Sequence, residues 1–338
     1  MKTRPGFLIL VLSSLLSGCA NDIVVMAPYK SIPVVYCILN PSDTIQYLRL
    51  EKSFLGKGNA YDMAKQADSV YYPDAEVRIE RWADGERKEQ FLMERIALPA
   101  RNSGIFLSDP NYLYRTGSEL TKESEYRLYI NIPSIGTELN AVTQVVSEFK
   151  VTKPPAQQQN LSFYSYLNEE KVEWITAPFT RIYQLALRFH YLEIKYLDTL
   201  TKSMDWQIGQ YISQHGKGGE TLTVNILHEN FYKWIGDRMS PPPTGFIRLA
   251  DKKAIDFIFT VGGEELYVYS QLYGDNSDIS TEKPVYTNIA NGIGLFSSRF
   301  KKAVTGKSLN SFSIDSLAKG MYTRHLGFDD SKNLYYLH

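Results

Sequence analysis

Short alternations of apolar and polar residues dominate the chain. "AEVRIERW" (75–82) sets Val77 and Ile79 against Arg78 and Glu80, the period-two pattern of a half-buried strand. "EYRLYIN" (125–131) sets Tyr126, Leu128 and Ile130 against Arg127 and Tyr129. "PVVYCIL" (33–39) is a continuous apolar run, as in a strand covered on both faces. "IQYLRLEKSF" (45–54) and "TELNAVTQVV" (137–146) are further strand candidates, and Asp84-Gly85 marks a hairpin turn. Seven or so short strands between residues 31 and 150 predict an immunoglobulin- or fibronectin-like β-sandwich. Residues 56–74 interrupt it as a long loop. Its middle, "YDMAKQA" (61–67), predicts one or two helical turns, and loops of that length often carry function.

"KVTKPPAQQQN" (150–160) holds two prolines and three glutamines. It predicts a stiff linker over 151–160. Residues 161–338 then predict a second, mostly β domain with one short helix. "RIYQLALRFHYLEIKY" (181–196) places Tyr183, Leu185, Leu187, Phe189 and Tyr191 on one face of a long strand. Gln184, Arg188 and His190 lie on the other face. "TLTVNIL" (221–227) is another strand. "HENFYKWIGDRM" (228–239) has Phe231, Trp234 and Ile235 at helical spacing, and three prolines at 241–243 stop it. "AIDFIFTVGGEELYVYSQLY" (254–273) predicts two strands around Gly262-Gly263. The expected fold class is mainly β throughout.

"PVYTNIANGIGLFSSRF" (284–300) predicts a β-hairpin turning at Asn291-Gly292, with Gly294 at a bulge or a close backbone approach. A dinucleotide fingerprint is excluded, because Ser297 stands where its third glycine belongs. Tyr286, Asn288, Asn291, Gly292, Gly294 and Arg299 are the candidate site residues, with a structural or a binding role.

The first eighteen residues predict a lipoprotein signal peptide rather than structure. Lys2 and Arg4 form a basic start, and "FLILVLSSLL" (7–16) is too short to span a bilayer as a helix. "LSGC" (16–19) has the form of a bacterial lipobox, with small residues before the cysteine that receives the lipid. Cys19 is therefore the expected lipidation site, and residues 19–30 form a tether. Cys37 is then the one remaining thiol, so no intramolecular disulfide is expected, and its apolar strand marks it as a small core residue.

Length and charge narrow the function. A chain of 338 residues exceeds the usual size of one core, so two domains are the default. Lysine plus arginine equals aspartate plus glutamate, at 37 each, and no basic stretch stands out, which excludes a nucleic-acid footprint. Tyrosines (24) outnumber phenylalanines (16). Half-buried strand positions account for them most simply, with a tyrosine-lined binding surface as the sharper alternative.

The search for chemistry returns little. The five histidines form no HExxH pattern, and no CxxC or GxSxG occurs. Gly306-Lys307-Ser308 imitates the end of a phosphate loop, but Lys301 replaces the required glycine, so a solvated turn is expected. "GDNSD" (274–278) predicts a turn rather than a calcium site. No catalytic residue, metal ligand or cofactor is expected. Glu173, Glu193, Asp256, Glu264 and Glu265 leave open a surface hydrolase acting on glycan or peptide, should two or three such groups converge.

Several stretches together resemble a known family. They are "LSGC", "PVVYCILNPSDTIQYLRLEKSFLGKGNAYDMA" (33–64), "RNSGIF" with "YLYRT", "LALRFHYLE" and "KPVYTNIANGIGLFSSR" (283–299). The chain resembles a set of Bacteroidota lipoproteins classed only as a domain of unknown function, often encoded beside TonB-dependent receptors. The resemblance implies an outer-membrane lipoprotein with an immunoglobulin-like first part. It implies a non-enzymatic binding or accessory subunit, with an outer-membrane β-barrel protein as partner. Surface-exported lipoproteins of this phylum tend to carry acidic residues after the cysteine. Only Asp22 follows here, which leaves the membrane face open.

Replacing Cys19 with Ala is expected to shift the protein from the outer-membrane fraction to the soluble fraction, because two or three acyl chains hold where one is marginal. Retention of the Cys19→Ala protein at wild-type level after a high-salt wash would remove the lipid-anchor reading.

Overall fold

The apolar run at 33–39 forms strand β1 (Pro33–Leu39) in a computed structural model that describes residues 31–53, 59–117, 119–196, 198–273 and 286–331. The stretches expected as a signal peptide and as a tether with Cys19, and the 274–278 loop, lie outside the described residues. Six further strands complete a first unit: β2 (Ile45–Lys52), β3 (Glu76–Ala83), β4 (Glu86–Leu98), β5 (Asn111–Gly117), β6 (Glu125–Ile132) and β7 (Thr137–Gln144). Strand β4 is shared. Its first part, Glu86 to Met93, pairs with β3, while Glu94 to Leu98 pair with β5. The chain thus folds over into two layers, β1-β2-β5-β4 and β4-β3-β6-β7. A strand that passes from one sheet to the other forms the corner of a sandwich. Val35, Cys37, Leu39, Leu48 and Leu50 from one layer meet Val77, Ile79, Leu128, Ile130 and Leu139 from the other. Asp84 and Gly85 both adopt positive φ, at 54° and 76°, as the hairpin between β3 and β4 requires. Two single helical turns, Ala60–Met63 and Ala67–Val70, occupy the long loop.

A second core begins at Val146. Its large sheet has the order β12-β11-β14-β15, from β11 (Ile182–Lys195), β12 (Asp198–Ile212), β14 (Ile247–Gly262) and β15 (Ile293–Leu309). The facing sheet is β13-β10-β8, from β8 (Lys150–Lys153), β10 (Glu169–Ile175) and β13 (Thr221–Leu227). Short strand β9 (Asn160–Leu161) pairs with the end of β15. Trp174 of β10 packs across the gap, with ring centroids 5.7 Å from Tyr183 and 5.3 Å from Phe259. Helices α1 (His228–Arg238) and α3 (Ser311–Lys319) close the core with Phe231, Ile235, Ile314 and Leu317. The fold is mainly β, as expected.

Strand β15 belongs to both units. Residues 293–298 run parallel to β1, from Val34 beside Ile293 to Leu39 beside Ser298. Residues 299–307 then pair antiparallel with β14, from Gly262 beside Arg299 to Ile255 beside Lys307. Phe296, with Ile289 just before the strand, sits in the first core, although both come from the far end of the chain.

Four expectations are corrected. First, the stretch after Gly263 is helix α2 (Glu264–Tyr273), not a strand. Glu264 and Glu265 occupy its first turn, where a helix favours negative charge. With α2 and α3, helices of nine or more residues number three among the described residues, where one was expected. Second, residues 286–292 make no antiparallel ladder with β15. Thr287 meets Gly294 and Ala290 meets Asn140 only in single bridges. The Asn288 amide takes the place of a ladder: Phe296 N donates to its Oδ1 at 2.9 Å and its Nδ2 donates to Phe296 O at 2.7 Å. Third, Gly306-Lys307-Ser308 is no solvated turn. Lys307 is buried within β15, and its ammonium donates to the carbonyls of Pro155, Ala156 and Gln158 at 3.1, 3.0 and 2.5 Å. Fourth, the stretch expected as a bare linker supplies those carbonyls, and its first residues lie in β8, paired with β10.

At Gly294 strand β15 fits tightly against β1. The φ of Gly294 is 126°, and a Cβ there would overlap the backbone carbonyl of Val35. Gly292 does not need positive φ; Asn291 does, at 61°. A side chain at 292 would instead run into Leu139. Gly294→Ala is expected to cost about 3 kcal/mol in chemical denaturation. Asn288→Ala should cost about 2 kcal/mol for two lost bonds. Exposed Arg299→Ala should stay within about 0.5 kcal/mol. Equal losses at 294 and 299 would contradict the close-approach account.

Candidate functional site

The candidate residues at 286–299 do not converge on a cavity. Asn288 is spent on the Phe296 peptide, and Asn291 Nδ2 donates to Glu138 O at 2.9 Å. Tyr286 N donates to the Tyr273 hydroxyl at 3.1 Å, and partial burial, followed by the nearby Glu265 and Glu264, pushes the Tyr286 phenol above its ordinary pKa. Arg299 faces solvent on the strand that enters the second unit. Within this set, Asn291 fastens the turn before β15 onto β7 of the first sandwich, and Asn288 braces that turn against β15.

The five carboxylates singled out from sequence fall in four places. Glu173 sits on β10 beside Lys171, at 2.7 Å. Glu193 pairs with buried Arg248 at 2.8 Å. Asp256 accepts from His190 Nε2 at 2.8 Å, and its other oxygen accepts Gly306 N–H at 2.7 Å. Only Glu264 and Glu265 share a cleft.

That cleft lies at the junction of the two units. It encloses about 190 Å³ and is lined by Gln144, Phe179, Arg181, His215, Gly216 and the two glutamates. Glu264 pairs with Arg181 at 2.6 Å and is exposed. Glu265 is largely enclosed. Thr143 Oγ1 of β7 and Ser297 Oγ of β15 both donate to its Oε2, at 2.9 and 3.1 Å. Burial pushes its carboxyl above the usual range despite those bonds. Beside it, Ser298 Oγ donates to Gln144 O at 2.7 Å and accepts Val146 N–H at 3.0 Å. Sequence inspection had no means of finding this cluster, because its members come from β7, α2 and β15.

A second cleft, of about 490 Å³, surrounds the His190–Asp256 pair on the outer face of the large sheet, with Asp251, Lys253 and Thr305. A histidine oriented by a carboxylate is two thirds of a nucleophilic triad. Among the described residues no hydroxyl or thiol hydrogen-bonds to that ring. Cys37 is no substitute: it is enclosed in the first core, and burial pushes its thiol up to about 12. No group of three or more potential metal ligands occurs among the described residues.

The third cleft, also about 490 Å³, lies against α3 and is different in kind. Tyr164, Tyr166 and Leu167 form one wall; Asp315, Ser316 and Lys319 of α3 form the other. Its rim is apolar and open: Leu167 is 86% exposed, Phe312 61% and Tyr164 53%, and the Tyr164 and Phe312 rings lie 5.1 Å apart. No periodicity in the sequence sets these residues apart from ordinary core aromatics.

No family model matches the chain, and no curated protein matches it either.

Two half-buried carboxyls make stability depend on pH in a defined direction. Burial alone lifts Glu170 on β10 to about 7, and burial also lifts Glu265. Both groups hold their protons in the fold at a pH where the unfolded chain, near 4.3, has released them. Stability from these two groups is therefore highest below about pH 4.3; it is lost as pH rises toward 7 for Glu170, and above the usual carboxylate range for Glu265. A fully enclosed carboxyl shifted this far would contribute about 3 kcal/mol, and Glu170 less, since solvent reaches part of it. Glu170→Gln should flatten the fall between pH 5 and 8, measured by urea denaturation. Glu265→Gln should flatten it further while keeping both hydroxyl bonds. An unchanged slope in Glu170→Gln would refute the assignment.

Proposed function

We propose that this is a lipid-anchored outer-membrane lipoprotein that binds rather than catalyses, an accessory subunit of an envelope complex whose partner is an outer-membrane β-barrel protein such as a TonB-dependent receptor. The observation that carries the binding role is the open apolar rim at α3. Leu167, at 86% exposed, has no structural reason to be apolar. With Tyr164 and Phe312 it forms the aromatic and aliphatic anchor typical of a protein interface, set beside the charged pair Asp315–Lys319 at 2.6 Å. The anchor at Cys19 and the barrel partner rest on the lipobox and on the family resemblance, not on the fold.

The hydrolase reading keeps one specific support. Glu264 and Glu265 line the same cleft in unlike surroundings, one ion-paired and one held toward its protonated form. Paired carboxyls with divergent environments are how acid and base roles are divided. Against it, the hydroxyls of Thr143 and Ser297 engage Glu265 in holding the two units together.

Cross-linking in intact cells and purification through the lipoprotein should recover a β-barrel protein above an unrelated lipoprotein control. Leu167→Asp with Phe312→Asp should reduce that recovery at least about ten-fold, as expected for loss of interface anchors, with an unchanged melting curve. Recovery of no barrel, together with turnover of a defined glycan or peptide that Glu265→Gln abolishes, would replace this reading with the hydrolase.

A further inference from the structure

The two ends of the first sandwich are chemically unlike. At one end lie the turns 40–44, 84–86 and 119–124, whose sequences "NPSDT", "DGE" and "ELTKES" are almost wholly polar. At the other end, Ile32, Tyr61, Ile105 and Phe106 are 43, 62, 55 and 63% exposed. These four are not neighbours in sequence. The fold gathers them.

The gathering is built by named bonds. Pro33 pairs with Lys52, so the start of β1 lies beside the end of β2. Ser53 N donates to Ile32 O at 2.9 Å, and Ile32 N donates to Ser53 Oγ at 3.0 Å. The loop that carries Tyr61 is clamped to the same end by Lys52 Nζ, which donates to Asp68 O at 2.9 Å. The loop that carries Ile105 and Phe106 is tied to it in turn, since Leu107 N donates to Ala64 O at 2.8 Å. Ser31, the described residue nearest Cys19, bonds through its Oγ to the Tyr72 hydroxyl at 2.7 Å, at the far side of the Tyr61 loop.

The direction of the chain adds the second constraint. Eleven residues lie between Cys19 and Ser31, which limits their separation to about 40 Å even when fully extended. The second unit lies the other way, because β15 runs parallel to β1 and enters the second core beyond Ser298. The apolar tip therefore stands on the side of the molecule that faces the anchor, and the bulk of the chain stands away from it.

The geometry points to this tip as a lipid-contacting foot: Tyr61, Ile105 and Phe106 seat in the interfacial layer of the bilayer that holds Cys19. The inference rests on the lipid-anchor reading above. Its chemistry is that of shallow interfacial binding, in which aromatic and aliphatic side chains enter the headgroup boundary while the backbone stays hydrated. The foot would fix how the protein stands on the membrane and present the α3 rim outward.

The test uses the full mature chain on vesicles of phosphatidylethanolamine and phosphatidylglycerol. An environment-sensitive fluorophore is placed on Ser103→Cys, beside the foot, or on Glu86→Cys, at the polar end; buried Cys37 does not compete. In the lipidated protein, the label at 103 should shift to the blue and be quenched by brominated acyl chains, and the label at 86 should not. Tyr61→Ser, Ile105→Ser and Phe106→Ser combined should abolish that shift while the protein still floats with the vesicles. In the lipid-free Cys19→Ala chain, the same triple change should lower vesicle partitioning roughly ten-fold. A label at 103 that stays in water while the lipidated protein is bound overturns the foot, as does a label at 103 shielded only in native envelopes that contain proteins. Failure of the lipidated protein to float, with the ten-fold partitioning effect intact, removes the anchor and keeps the foot.

Discussion

Everything in this molecule depends on strand β15 being shared. Six residues of it complete the first sandwich and nine complete the large sheet of the second unit. A strand can serve two sheets only if its backbone fits both, and the tight fit is at Gly294, against the Val35 carbonyl. Parallel neighbours have evenly spaced but slanted bonds and no hairpin to set their register. Here Asn291 Nδ2 ties the turn before β15 to Glu138 O of β7, and the Asn288 amide ties that same turn to Phe296 of β15.

The same sharing explains the polar cluster between the units. Ser297 and Ser298 are fully buried, in a strand otherwise apolar at that level. Their hydroxyls join β15 to Glu265 of α2 and to Gln144 and Val146 at the exit from β7. An all-apolar joint would hold as well but would not select one angle between the units. Directional bonds do so, and the energetic cost is a carboxyl kept away from water. Lys307 does the corresponding task at the other end of the strand, where three carbonyls of the 155–158 segment converge on one ammonium.

Local pattern was legible in the sequence, and long-range partnership was not. The alternation in 75–82 and 125–131, the Asp84-Gly85 turn and the helix at 228–239 were expected as they occur, because each is set by neighbours along the chain. Buried Cys37 was expected for the same reason. The stretch 264–273 was misjudged because its tyrosines and valine favour strands, while its two leading glutamates and its seat on β15 favour a helix; tertiary context prevailed. The 286–300 segment was misjudged because an asparagine side chain imitates a ladder with no sequence signal beyond Asn itself. Lys307 was read as solvated because a lysine in a Gly-Lys-Ser run ordinarily is, and only the fold reveals the carbonyls that receive it. The open rim at Tyr164, Leu167 and Phe312 was invisible, since apolar residues in core and on surface look alike in one sequence.

The architecture also suits the arrangement proposed for it. If the chain is held at Cys19 and engaged through the α3 rim, any pull enters at Ser31 and leaves through the second unit. The path between them runs along β1 and then across to β15, its parallel neighbour. Force along that axis loads the ladder between Val34–Ile293 and Leu39–Ser298 in shear, so its bonds resist together rather than one at a time. The fastening residues flank this ladder, with Gly294 and Asn288 near its start and the Ser298–Val146 bond at its end. A hydrolase needs no such path between anchor and rim. A subunit that held position between a membrane and a partner, as proposed, would load this joint, where the buried hydroxyls of Ser297 and Ser298 and the Glu265 carboxyl are engaged.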